Sequence, residues 1–267
     1  MAWHRMSVLL LALGCEVDNF VEPEGVPGGQ VRERTLAPVD VRLRPQALVK
    51  LSPAELELLV RKQPEELGSV SYGKPTRGGL FNGEQLEPSG LLVPRSPQNA
   101  WGTAETLRSL ERAVEMVHLQ FPDTAPLYVG DISKRRGGYL RPHRSHQSGR
   151  DVDLGFYYVG VPRWYVKATE KNLDFPRTWA LIKALLSETD VEYIFLDRSV
   201  QAWLRRYAEE TEAPSWLDSV FESPANPLGI IRHTRGHDDH LHVRFHDVVA
   251  EEAARHAYAV LARLGRL

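Results

Sequence analysis

The sequence predicts an α+β fold: a small antiparallel sheet, flanked by helices, that gathers polar side chains on one face. Three observations carry this. Stretches with apolar residues at every third or fourth position are interspersed with short apolar runs and with segments of period two. Seven of the ten histidines fall in two short windows, and each window overlaps a period-two segment. No internal repeat, low-complexity tract or linker interrupts residues 46–267, so a single mixed domain accounts for them.

Composition narrows the function classes. The chain of 267 residues has 33 Lys+Arg against 35 Asp+Glu, a formal net charge of −2, which gives no support for nucleic-acid binding. With one cysteine, Cys15, an internal disulfide framework and a zinc site built from several thiolates are both excluded.

Residues 1–14 read as a secretory signal, because a basic start at Arg5 is followed by an apolar run from Val8 to Leu13. That run is too short to span a bilayer. The order Ala12-Leu13-Gly14-Cys15 resembles a bacterial lipoprotein signal, which would make Cys15 the lipidated first mature residue. It departs from the usual pattern, which has leucine three residues before the cysteine. Residues 16–45, rich in Pro, Gly and charge, read as a tether ahead of the 46–267 domain.

Within that domain Ser52-Pro53-Ala54-Glu55 predicts the start of a helix reaching Leu67. Gly73 to Asn99 reads as loop. Thr103 caps a helix through about Gln120, on which Leu107, Leu110, Val114 and Val117 recur. Leu127–Val129 is a short strand. Asp174 and Pro176 open a helix carrying Trp179, Ile182 and Leu185. Val191–Leu196 is a buried strand, Asp197 or Ser199 starts the next helix, and a last one runs from Asp247 to about Leu264.

The histidine windows hold the chemistry. From Asp151 onward Val152, Leu154, Phe156 and Tyr158 alternate with Asp151, Asp153, Gly155 and Tyr157, a strand that points Asp153 and Tyr157 away from its apolar face. In His240–His246 the apolar Leu241, Val243 and Phe245 likewise oppose His240, His242, Arg244 and His246. If the two strands are neighbours, their polar faces converge on one cation, with His146 from the preceding loop as a further ligand. Two imidazoles and one carboxylate suit Zn²⁺ with a fourth position open, the arrangement of a catalytic site. The remaining histidine is then a general base or acid.

His146-x6-Asp153 followed by His240-x-His242 resembles the signature shared by lysostaphin, D-alanyl-D-alanine peptidases and hedgehog proteins. With Tyr128–Ser133, Ser145–Asp153 and His237–Arg244, the chain more specifically resembles the penicillin-insensitive murein endopeptidases, from about Leu67 to Asp247. The resemblance implies a periplasmic zinc peptidase with one Zn²⁺ per chain, held by His146, Asp153 and His242. It implies His240 as general base and His237 as a second catalytic group. The substrate would be the D-alanyl–diaminopimelate cross-link between peptidoglycan stem peptides, cut by zinc-activated water without an acyl-enzyme. His143, Arg244 and Tyr157 are the candidate substrate-binding residues. Arg244 has a competing reading, an ion pair with Asp238 or Asp239. Family members carry internal cysteine pairs, which this chain lacks.

Two rival readings compete with this one. Ser71-Tyr72-Gly73-Lys74 fits the Ser-x-x-Lys of penicillin-binding serine enzymes, but neither Ser-Asp-Asn nor Lys-Thr-Gly accompanies it. A zinc-containing but non-catalytic peptidoglycan-binding module is the alternative function.

Overall fold

The computed structural model describes residue 48 and residues 50–267. All of these lie in the unit Val41–Leu267. The signal read at 1–14, lipidation of Cys15 and the tether at 16–45 fall outside the described residues.

The first helix, α1 (Pro53–Lys62), begins with a capping box. The Glu55 N–H donates to Ser52 Oγ at 3.3 Å, and the Ser52 N–H donates to the Glu55 carboxylate at 2.8 Å. It stops short of the expected Leu67 because Pro64 cannot continue the ladder, and a separate 3-10 turn covers Pro64–Leu67.

Next comes a hairpin, most of which falls in the stretch from Gly73 onward that reads as loop in the sequence. Strands β1 (Val70–Lys74) and β2 (Arg77–Phe81) pair antiparallel, with Lys74 opposite Arg77 and only Pro75-Thr76 between them. Its glycines serve close approach across the neck, not looseness. A Cβ on Gly78 would lie 2.3 Å from the Tyr72 carbonyl oxygen.

Strand β3 (Glu84–Gln85) and strand β5 (Trp101–Gly102) form a second small pair, with β4 (Leu92–Pro94) between them in sequence. Helix α2 (Ala104–Gln120) follows, N-capped by Thr103 as expected. Then come β6 (Leu127–Val129), β7 (Asp151–Leu154), α3 (Phe175–Glu188), β8 (Val191–Leu196) and α4 (Arg198–Ala208). The chain ends with α5 (Pro214–Val220), β9 (Ile231–His233), β10 (Leu241–Phe245) and α6 (Val248–Arg263).

The main sheet has six strands in the order β4-β6-β7-β10-β8-β9. Its centre is antiparallel, as expected, but both edges are not: β4 runs parallel to β6 and β9 parallel to β8. A parallel neighbour requires a crossover, and α2 provides one between β4 and β6 while α4 and α5 provide the other. The sheet is therefore larger and more mixed than its two histidine-bearing strands indicate.

Two cores hold this frame. Leu110, Val114, Val152, Leu154, Leu181 and Val243 belong to one buried cluster between the sheet and its helices. Leu56, Val60, Val70, Ala257 and Leu261 belong to a second, where α1 and α6 close over the hairpin. Among the described residues no helix is long and apolar enough to cross a membrane.

Asp247 caps α6, its Oδ1 accepting the Ala250 N–H at 2.8 Å. Burial, reinforced by the Glu105 carboxylate, pushes its carboxyl up to about 7. In the unfolded chain the same group ionises near its ordinary value, so the native state holds the proton more tightly between about pH 4 and 7. Stability is then highest below that window and falls as pH rises through it. Asp247→Asn keeps a capping acceptor and deletes the buried charge. It is expected to flatten this fall and to stabilise the fold at pH 8 by on the order of 2 kcal/mol. Urea unfolding at pH 4, 6 and 8 checks it, and a variant less stable at pH 8 contradicts it.

Candidate metal centre

The site sits where β7 and β10 lie side by side. Their register places His242 directly opposite Asp153 and Arg244 directly opposite Asp151, so four polar side chains share one face on alternate rungs. On the other face Val152 and Val243 pair into the core, fully buried. A slip of one residue would exchange these sets, so the apolar pattern itself fixes the polar register.

His146 arrives from the loop ahead of β7. Its backbone has a φ of 62°, unusual for a side chain other than glycine. Two hydrogen bonds hold it there: the His146 N–H donates to Asp151 Oδ2 at 3.1 Å, and its ring Nδ1–H donates to the Ile132 carbonyl at 3.0 Å. The ring therefore turns Nε2 inward as a free lone pair.

His146 Nε2, His242 Nδ1 and Asp153 Oδ1 form a near-equilateral triangle. The separations are 3.1 Å between the two nitrogens, 3.2 Å from His146 to Asp153 and 3.1 Å from His242 to Asp153. An ion with tetrahedral bonds of about 2.0–2.1 Å holds its ligand atoms roughly 3.3 Å apart. His143, His146 and Asp153 also offer ligand atoms within 4.8 Å of one another, so a His/His/Asp cluster that could hold a metal ion is present here.

The chemistry of the donors fits a cation. The Asp153 carboxylate is wholly buried, and neither oxygen receives a well-directed hydrogen bond among the described residues. Burial alone would raise its carboxyl, but the adjoining His146 and His242 imidazoles hold it well below the usual range. Asp151 is likewise buried yet held ionised, by His242 first and then by His146 and Arg244. His242 lies between these two carboxylates. Burial would lower the pKa of its imidazolium, but the hydrogen bond to Asp151 and the adjoining Asp153 carboxylate raise it to about 9. The pocket thus demands positive charge, which a proton on His242 or a metal ion in its place can supply.

Outer partners orient the other imidazoles. The His242 Nε2–H donates to Asp151 at 3.1 Å, the His240 Nδ1–H to Asp239 at 2.6 Å and the His143 Nε2–H to Asp131 at 2.9 Å. Such carboxylate–imidazole pairs select the tautomer and aim the second nitrogen. His240 Nε2 accordingly faces Asp153 Oδ1 at 3.6 Å. The His237 ring lies 4.8 Å from that of His240, and burial together with the neighbouring imidazoles lowers its pKa to about 4, so it stays neutral. His143 lies 4.4 Å ring to ring from His146, and its bond to Asp131 raises its pKa.

A cleft of about 320 Å³ opens onto this group, lined among others by His143, Arg144, His237, His242 and Arg244. Arg244 donates to Asp151 Oδ1 at 2.7 Å, which replaces the ion pair with Asp238 or Asp239 weighed from the sequence. Asp238 is paired instead with Lys167, at 2.8 Å.

Seven of the eight candidate residues thus come together: His143, His146, Asp153, His237, His240, His242 and Arg244. Tyr157 does not. Strand β7 ends at Leu154, so the alternation that would carry Tyr157 to the same face is broken. Its ring is buried beside a different cavity, shared with Asp174 and Arg177. His246 has likewise left its strand after a register shift at Arg244/Phe245.

The aromatic residue the structure does bring to the site is Tyr165, whose ring stands edge-on 5.5 Å from that of His240. Its loop is tied down by the Ala168 N–H donating to the Asp238 carbonyl at 2.6 Å, and Tyr165 itself has a φ of 50°. No period or motif marked it in the sequence. Asp151 did carry a signal, two residues before Asp153 on the same strand face.

Residues 71–174 match the family model of the penicillin-insensitive murein endopeptidases, and this supports a murein endopeptidase. The matched stretch includes His143, His146, Asp151 and Asp153 and ends before His237. The search of curated proteins finds no match.

Proposed function

We propose, starting from that match, that the protein is a zinc metallo-endopeptidase which hydrolyses D-alanyl–diaminopimelate cross-links in peptidoglycan. The observation that carries this reading is the triangle of His146 Nε2, His242 Nδ1 and Asp153 Oδ1, with sides of 3.1–3.2 Å around a fully buried carboxylate. We assign one zinc ion per chain to these three residues. His143 is the weaker third ligand, because its Nε2 is committed to Asp131 at 2.9 Å and its Nδ1 stands 3.8 Å from Asp153. Two nitrogens and one oxygen suit zinc and leave a position open.

A zinc ion held there supplies Lewis acidity, polarising the scissile carbonyl and lowering the pKa of water. The chain's own groups do the rest. His240, with its proton fixed on Nδ1 by Asp239, offers Nε2 to take a proton from the attacking water and hand it to the leaving amine. His237, neutral and half-buried, can donate an N–H to the oxygen that gains charge. Arg244 and His143 line the cleft where a stem-peptide carboxylate would bind. No side chain forms a covalent intermediate, so β-lactams have no serine to acylate. The substrate lies outside the cytoplasm, and export directed by residues 1–14, with lipidation at Cys15, belongs to the same proposal.

The test is incubation of the purified protein with cross-linked muropeptide dimers, with zinc, a chelator or penicillin, resolved by mass spectrometry. The expected result is conversion of dimers to monomers, abolished by chelator and unaffected by penicillin. Turnover that survives complete removal of metal overturns the zinc assignment. Intact dimers with stoichiometric zinc on the protein overturn the peptidase.

A further inference from the structure

The hairpin β1–β2 separates two concavities. At its tip Thr76 lines the metal-site cleft, while the next residue, Arg77, lines a larger cavity of about 660 Å³ on the other side. The loop carrying His146 divides in the same way: Arg144 and Ser145 face the cleft, and Gln147 and Arg150 face the second cavity. Helix α6 closes the far wall with Glu251, Ala254, Arg255 and Tyr258. None of the residues assigned above to zinc, catalysis or the cleft lines it.

The positive charge in this cavity is only partly balanced by the chain. It contains three guanidinium groups and one carboxylate. Arg150, buried behind the others, is paired with Glu251, and its Nε has no hydrogen-bond partner among the described residues. Arg255 is paired with Glu252 of its own helix, a pair with the Arg255 side chain 62% exposed and hence weak. The Arg77 guanidinium has no ion-pair or hydrogen-bond partner among the described residues, while its backbone pairs with Lys74. The Arg136 guanidinium adds to the positive field felt at the Tyr72 hydroxyl.

The walls add a second kind of recognition. Tyr72 and Tyr258 approach with ring centroids 5.8 Å apart, presenting aromatic surface from the hairpin and the helix. Arginine forks bind carboxylates through two parallel hydrogen bonds, and tyrosine rings cover aliphatic groups at low entropic cost. Glu251 at the rim disfavours a doubly charged phosphate more than a singly charged carboxylate.

We propose that this cavity is a second binding site, which takes a free carboxylate of a peptide and its aliphatic body from a position just across the hairpin tip from the metal centre. That the peptide is an uncleaved stem of the same peptidoglycan rests on the function proposed above; the carboxylate chemistry does not. The site would anchor the network beside the bond being cut.

The experiment uses the full zinc-loaded chain and the uncross-linked stem tetrapeptide L-Ala-D-Glu-diaminopimelate-D-Ala, followed by titration calorimetry. The comparison ligands are the same peptide with its carboxylates amidated, and inorganic phosphate. The double variant Arg77→Gln/Arg255→Gln alters exposed side chains and should leave the melting temperature unchanged. It is expected to weaken the tetrapeptide by about tenfold, as loss of charge-assisted hydrogen bonds does. Arg77→Lys/Arg255→Lys should recover part of that loss. In NMR spectra of the wild type the tetrapeptide should shift the Tyr72 and Tyr258 ring signals. Unchanged affinity in the double variant, equal binding of the amidated peptide, or full competition by inorganic phosphate at equal concentration each overturns the proposal. Binding is read without turnover, so a chain that binds the tetrapeptide here but leaves dimers intact keeps this site and loses the peptidase.

Discussion

Asp153→Asn should strip the protein of its metal and lower kcat/KM on muropeptide dimers by at least about a thousandfold, the scale seen when an element of a catalytic site is removed whole. The substitution preserves volume and removes only the charge. Asp153 supplies the one carboxylate oxygen of the triangle, and it is fully buried with no well-directed hydrogen bond to either oxygen. An amide there would turn either its NH₂ toward an imidazole or its weaker carbonyl toward the cation. Zinc content after dialysis and turnover at saturating zinc measure the two consequences separately. His143→Ala is the paired control. Its ring is anchored to Asp131 and should be dispensable for metal, so zinc lost from His143→Ala and kept by His242→Ala would transfer the ligand role to His143.

The second large effect concerns His240. His240→Ala is expected to keep stoichiometric zinc and lose about 10²–10⁴ in kcat, the range over which a positioned general base contributes. Its Nε2 stands 3.6 Å from Asp153 Oδ1, outside the 3.1–3.2 Å triangle, which is why metal should survive its removal. Asp239→Asn should act in the same direction more weakly, because it loosens the tautomer without deleting the base. Loss of zinc from His240→Ala, with normal turnover in the fraction that keeps it, would exchange the roles of His240 and His242.

What could be read from the sequence divides along physical lines. Local signals located four of the helices, where Thr103, Asp174, Asp197 and Asp247 each form the cap, but not α5, whose N-cap Ala213 makes no side-chain bond. Period two found the halves of β7 and β10 that matter, because each strand there has one buried and one polar face. It failed at Tyr157, since strand length depends on neighbouring strands and β7 has only four residues. It failed at the hairpin too, where Gly73, Pro75, Gly78 and Gly79 resemble loop punctuation but answer a steric need across the neck. The parallel edges β4 and β9 are non-local pairings that no window of a few residues contains. Tyr165 and the Asp151–Arg244 pair are contacts set by the closed fold, across 75 residues in one case and 93 in the other.

The spacing of the triangle along the chain has a further consequence. His146 and His242 are 96 residues apart, and they meet only when β10, laid down near the end of the chain, inserts between β7 and β8. With the ligands assigned above, no segment shorter than 146–242 contains all three, and no chain ending before β10 does. A chain that still lacks β10 therefore has an incomplete set of these ligands, and the set closes only when β10 enters the central sheet. With the murein substrate proposed above, connectivity itself would delay cutting until the central sheet is whole.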